Sequence, residues 1–62
     1  MLALRYIRVI KLVTAGLSNG EIAKLRGVTL HVVKNYLRDV YDLTGFSNRV
    51  ELAIWWIKET EF

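Results

Sequence analysis

The chain has 62 residues, with nine basic and six acidic side chains, no cysteine and one histidine. A chain of this length forms one domain, here residues 1–62. Without cysteine it has no disulfide or thiolate zinc site, and the lone His31 cannot build a metal site by itself, so we expect no cofactor. The net charge of +3 fits binding to phosphate backbones, but many ordinary proteins carry as much positive charge, so charge alone decides nothing.

Apolar residues near the start recur every three or four positions, which predicts a first helix over residues 2–15. The face that they mark consists of Leu2, Tyr6, Val9, Ile10 and Val13. Leu4 and Ile7 lie off that face and should be partly exposed unless something covers them. Basic residues interrupt the segment, so it lacks the pattern of a signal peptide, and we expect a cytoplasmic protein.

The second predicted helix begins at a capping box. The Ser18 hydroxyl can accept a hydrogen bond from the backbone amide of Glu21, while the Glu21 carboxylate reaches back to the start of the turn. Because the apolar Ile22 follows directly, this signature predicts a helix over residues 19–26.

A glycine turn connects this helix to a third one. Gly27 supplies the positive φ that ends the second helix, and Thr29 caps a third helix over residues 30–44. Two helices joined by so short a turn form a helix-turn-helix, and in DNA-binding proteins the second helix of such a pair enters the major groove. The residues expected on the inner side of the third helix are Val33, Tyr36, Leu37 and Val40. Those expected on its outward side are His31, Lys34, Asn35, Arg38 and Asp42.

Gly45 is expected to end the third helix, and a fourth is predicted over residues 48–58. The apolar spacing turns four of its residues toward the core: Leu52, Ala53, Trp56 and Ile57. The longest apolar run of the chain, residues 52–57, is too short to cross a membrane, so no membrane association is expected. The predicted fold is therefore all-α, with four helices in a single compact helix-turn-helix domain.

The same spacing leaves Ile54 and Trp55 facing solvent. An exposed tryptophan beside an isoleucine on a small domain indicates a contact surface, and we interpret Ile54, Trp55 and Lys58 as a homodimer interface. The alternative is that Trp55, which is large and amphipathic, folds back over the edge of the core.

Several short segments of the chain occur in an informative order and spacing. They are Gly16-Leu17-Ser18-Asn19, Glu21-Ile22-Ala23, Gly27-Val28-Thr29, Val33-Lys34-Asn35 with Leu37, Val40-Tyr41, and Gly45-Phe46-Ser47-Asn48-Arg49-Val50-Glu51. Together they resemble the LuxR/GerE-type helix-turn-helix, the DNA-binding module of quorum-sensing regulators and of many response regulators. The resemblance implies that the second helix supports the third, that the third helix reads DNA, and that the fourth commonly forms the dimer contact.

The resemblance also implies roles for individual side chains. Lys34, Asn35 and Arg38 fall where family members reach base edges. The residues that fall near helix N-termini approaching phosphates are Ser18, Asn19 and Thr29. The side chains themselves suit these roles, because lysine and arginine can donate to guanine O6 and N7, asparagine can pair with adenine, and helix N-termini favour phosphate.

Two further basic side chains have alternative interpretations. His31, in the first turn of the third helix, either touches a phosphate or points into water. Arg49, with Asn48, either grips a phosphate or braces the fourth helix. The chain also departs from the family pattern at Leu4 and Ile7, which replace commonly polar residues and suggest a surface for a regulatory protein partner.

The sequence therefore predicts a sequence-specific, nucleoid-associated transcription regulator that binds double-stranded DNA as a homodimer. No nucleophile is paired with a base and so short a helical chain encloses little volume, so an enzyme is not expected. The rival hypothesis is a protein-interaction module of the same fold that binds another regulator through Leu4, Ile7 and Trp55 without reading DNA.

Overall fold

Four helices follow one another in a computed structural model that describes residues 2–60 of the chain. They are α1 (Leu4–Thr14), α2 (Asn19–Arg26), α3 (Leu30–Thr44) and α4 (Arg49–Thr60). Helix α1 contacts each of the other three helices, and α2 also packs on α3. No strand occurs within residues 2–60, so the prediction of an all-α, four-helix single domain is confirmed. None of the described helices is long and apolar enough to span a bilayer.

The helix boundaries follow the local capping chemistry. Helices α2 and α3 have the predicted bounds. Helix α1 begins two residues later than predicted, because the backbone of Ala3 is extended and its carbonyl accepts the amide of Ile7. Helix α4 begins at Arg49, where Asn48 Oδ1 accepts the backbone amide of Glu51 at 3.0 Å. The side-chain cap therefore sets the start of α4 one residue beyond the predicted bound.

The turn between α2 and α3 has the predicted geometry. Both halves of the capping box are present, with the Ser18 amide donating to Glu21 Oε1 at 2.8 Å and the Glu21 amide donating to Ser18 Oγ at 3.2 Å. Gly27 has a φ of +68° and ends α2 in the left-handed region. Thr29 Oγ1 accepts the amide of Val32 at 3.2 Å and so caps α3. These contacts fix the direction in which α3 leaves α2.

The core receives apolar side chains from all four helices. Its buried residues are Val9, Ile10, Val13, Ile22, Ala23, Val33, Leu37, Val40 and Leu52. Tyr36 and Tyr6 pack edge to face at its border, with ring centroids 5.7 Å apart, and the Tyr6 hydroxyl donates to Asp39 Oδ2 at 3.0 Å. The face of α3 that was predicted to point inward therefore packs against the core.

One expectation for α4 is wrong, because Ile57 is expected in the core but is 47% exposed. Of the two interpretations of Trp55, the structure shows the one in which it folds back over the core edge, since Trp55 is half-buried against the core. The reason is Phe46, which lies in the turn before α4 and packs on the Trp55 ring at a centroid distance of 5.7 Å. With this aromatic contact in place, α4 packs on the core through residues 52, 55 and 56, and Trp55 covers the edge of the core.

Candidate nucleic-acid interface

The outward side of α3 is open to solvent. His31, Lys34 and Arg38 are exposed and Asn35 is half-exposed, whereas the opposite side of the helix is buried in the core. Within residues 2–60, the side chains of Lys34, Asn35 and Arg38 are not engaged in the hydrogen bonds that hold the helices together. Their polar ends are therefore available to a ligand approaching α3 from outside.

A shallow depression beside α3 collects residues from three helices. The residues that line it are Asn19, Lys34, Leu37, Arg38, Tyr41 and Arg49. Four of the predicted site residues are thus brought together at the N-terminus of α2, and no acidic side chain is among the residues that line the depression. The three cations favour an anion at this position.

Tyr41 is a member of this group that the sequence interpretation did not assign. It lies three residues after Arg38 and seven after Lys34, so all three share one side of α3. That spacing is the signal that could have identified it. Its ring is half-buried and its hydroxyl is a group that can donate to a phosphate oxygen.

Arg49 braces α4 against the start of α2. Its guanidinium donates to Asn19 Oδ1 and, at 2.7 Å, to the backbone carbonyl of Leu17. Of the two interpretations of Arg49, bracing of α4 is therefore observed in the structure. Because a guanidinium has more N–H groups than these two acceptors occupy, a phosphate contact by Arg49 is compatible with the brace.

The two capped helix N-termini differ in electrostatics. At the start of α2, hydrogen bonds from the Ser18 backbone amide and, to a smaller extent, from its side chain hold the pKa of Glu21 below its ordinary value of 4.5. The Glu21 carboxylate is therefore ionised at neutral pH, and its negative charge repels a phosphate. Helix α3 has no acidic residue in its first turn, where Thr29 caps and His31 is exposed. The start of α3 is therefore the more favourable of the two for an anion, and Ser18 is less favourable than Thr29.

The residues interpreted as a dimer surface lie on the side of α4. Ile54, Trp55 and Lys58 line a second depression together with Phe46 and Glu51. Ile54 is 49% exposed, whereas Trp55 contributes only the part of its ring that is not packed on the core. This depression shares no lining residue with the one beside α3, so the two surfaces are separate.

Comparison with models of protein families, with curated proteins and with solved structures finds no match to this chain. The LuxR/GerE resemblance stays a prediction from the segments between Gly16 and Glu51. Any function must therefore be inferred from the side chains and their placement.

Proposed function

We propose that this protein is a sequence-specific DNA-binding regulator of transcription whose α3 enters the major groove of double-stranded DNA. The observation that carries the proposal is the depression in which Lys34, Arg38 and Arg49 converge, at the N-terminus of α2 and with no acidic lining residue. A positively charged surface beside an exposed helix of a helix-turn-helix is the combination that phosphate and base recognition need.

The outward side chains of α3 read the bases. Lys34 and Arg38 donate to guanine O6 and N7, and Asn35 pairs with the N6 and N7 edge of adenine. Because an α-helix rises about 1.5 Å per residue, Lys34 and Arg38 are separated by about 6 Å along the axis. The two side chains lie about one helical turn apart on the same side of α3, so they contact neighbouring positions in the groove.

Phosphate contacts set the register of α3 in the groove. On one side Asn19, Tyr41 and Arg49 approach a phosphate beside the N-terminus of α2. On the other, Thr29 and His31 offer donors in the first turn of α3. Arg49 is already held by Asn19 and Leu17, so it loses less side-chain entropy on binding than a free arginine.

The regulator acts as a homodimer through the side of α4. If two copies of α4 pair antiparallel about a two-fold axis near Ile54, Glu51 of one copy lies opposite Lys58 of the other, because the two residues are seven positions apart with Ile54 between them. Such a surface is complementary to itself in charge and has an apolar centre. The two α3 helices would then enter successive major grooves, with half-sites about ten base pairs apart.

A selection of bound duplexes from a random DNA pool tests this proposal. We expect an enriched inverted repeat for the wild-type protein, and loss of enrichment for the double variant Lys34→Ala, Arg38→Ala. The double variant Arg8→Ala, Lys11→Ala is the matched control, since Arg8 and Lys11 are exposed cations on α1 outside the depression, and it should select the same motif.

No enrichment by the wild-type protein, together with no DNA affinity at low salt, would refute the proposal. It would favour the rival function, a protein-interaction module that binds another regulator without reading DNA.

A further inference from the structure

A large apolar groove lies between α1, the end of α3 and α4. The residues that shape it are Ile7, Leu43, Phe46, Trp55, Trp56 and Glu59, and its volume is about 540 Å³. We call this concavity the aromatic groove. None of its lining residues belongs to the outward side of α3 or to the depression beside it.

The floor of the aromatic groove is a partly exposed aromatic cluster. Trp55 contacts Phe46 and Trp56, with ring centroids 5.7 Å and 6.1 Å away, and all three rings are half-buried. Leu43 stands at the edge and is 64% exposed. Apolar surface of this kind on a small domain marks a protein contact site.

The charge around the aromatic groove favours a cation. Glu59 is the one charged side chain among the described residues that line it. Helix α3 ends here, since Thr44 is also a lining residue, and a helix C-terminus carries partial negative charge. The last turn of α3 has no basic residue to offset this charge. Lys58, in the last turn of α4, lines the neighbouring depression with Ile54.

We infer that the aromatic groove docks an amphipathic helix of a regulatory protein whose apolar side is flanked by lysine or arginine. The apolar side chains of such a helix pack on the tryptophans, and its cations meet Glu59, the C-terminus of α3 and the faces of the rings. The aromatic groove shares no residue with the outward side of α3, so a partner in the groove leaves that side open to DNA. The groove does share Phe46 and Trp55 with the depression beside Ile54, so the partner and a second copy compete for α4. This surface goes beyond DNA binding and gives the domain a route for control by a second protein.

A display library of helical peptides, randomised on one face, tests the inference with the intact protein as target. We expect enriched peptides with apolar residues at helical spacing and a net positive charge. Leu43→Lys and Glu59→Lys should each lower the affinity of an enriched synthetic peptide roughly tenfold or more, because one removes apolar contact and both add a like charge. The intrinsic fluorescence of the tryptophans in the groove reports binding.

Leu25→Lys is the matched control for Leu43→Lys. Leu25 is 63% exposed on α2 and adds the same charge when replaced, but it lies outside the aromatic groove. We expect peptide affinity in Leu25→Lys to equal that of the wild type. Far-ultraviolet circular dichroism should show folded protein in all three variants, because the replaced side chains are exposed.

Three results would overturn the inference: no enrichment, enriched peptides of net negative charge, or binding that Leu43→Lys leaves unchanged. A second copy is the rival occupant, since the exposed side of α1 also combines Leu4 with basic residues. If sedimentation shows self-association of the wild type and Leu43→Lys abolishes it, the aromatic groove binds a second copy of the chain instead. DNA binding is measured separately, so its absence would refute the proposed function without altering the peptide result.

Discussion

Arg49, at the start of α4, donates through its guanidinium to the side-chain oxygen of Asn19, at the start of α2. The same guanidinium also donates to the carbonyl of Leu17, 32 positions earlier in the chain. Helices α2 and α4 have few other contacts with each other, so this side chain is the main link between the two helix starts that border the candidate DNA interface.

Replacing Arg49 by methionine should therefore destabilise the fold. Methionine keeps much of the apolar stem but leaves the Leu17 carbonyl and Asn19 without their donor, and we expect the free energy of unfolding to fall by about 1 to 2 kcal/mol. Urea denaturation measures the change. Arg8→Met is the control, because Arg8 is exposed on α1 and should change stability little. Equal stability of the two variants would contradict the bracing role.

Two glycines should respond in opposite directions to alanine. Gly27 has a φ of +68°, where a Cβ is strained whatever space surrounds it, so Gly27→Ala should destabilise by about 1 to 2 kcal/mol. Gly20 lies inside α2 and its added Cβ would meet only Ser18 Oγ at an ordinary 3.9 Å, so Gly20→Ala should stabilise by about 0.4 to 1 kcal/mol. Thermal unfolding of both variants measures the two effects. A Gly27→Ala variant as stable as the wild type would contradict the left-handed turn, and a destabilised Gly20→Ala would contradict the ordinary helical environment of Gly20.

The capping box should make stability depend on pH. Hydrogen bonds from Ser18, mainly through its backbone amide, lower the pKa of Glu21 in the folded protein below 4.5, while in the unfolded chain it returns to that value. The unfolded state then binds more protons just below pH 4.5, so this contribution is fully present above that pH. It is lost as the pH falls through the lowered folded pKa.

Denaturation of the wild type and Glu21→Gln, from neutral pH into the acid range, measures this contribution. The wild type should be the more stable of the two at neutral pH, and the difference should shrink in acid. A difference that stays constant with pH would show that the Glu21 carboxylate does not stabilise the fold through its charge.

The sequence predicted the parts of the fold that local chemistry decides. The capping box at Ser18 and the glycine at position 27 fixed the bounds of α2, because cap hydrogen bonds and a positive φ depend on neighbouring residues alone. The sequence likewise predicted which side of α3 faces outward, since helical spacing separates the exposed Lys34 and Arg38 from the buried Val33.

The sequence could not decide features that depend on contacts between distant elements. The inner face of α4 is set by the packing of Phe46 on Trp55, and periodicity within α4 carries no information about that contact. The link from Arg49 to Leu17 joins residues 32 positions apart, so spacing could offer bracing only as one of two alternatives. The aromatic groove arises in the same way, from the convergence of three helices.

The proposed dimer interface is best tested at Ile54. Because Trp55 also packs on the core, Trp55→Ala would combine loss of the interface with loss of core packing. Ile54 is 49% exposed, so Ile54→Lys should convert a dimer into a folded monomer in sedimentation at several concentrations. Val50→Lys, at a residue that is 67% exposed outside that depression, is the control and should remain dimeric. A dimer that survives Ile54→Lys would contradict the α4 interface.

The most direct test of DNA reading by α3 is the ratio of affinities for a selected duplex and for a duplex of unrelated sequence. For Arg38→Ala we predict that this ratio falls by the equivalent of about 1 to 3 kcal/mol, with a shallower dependence of affinity on salt. Arg8→Ala, which removes the same charge from α1, should keep the wild-type ratio. An unchanged ratio in Arg38→Ala, or an equal loss in both variants, would contradict the reading of DNA by the outward side of α3.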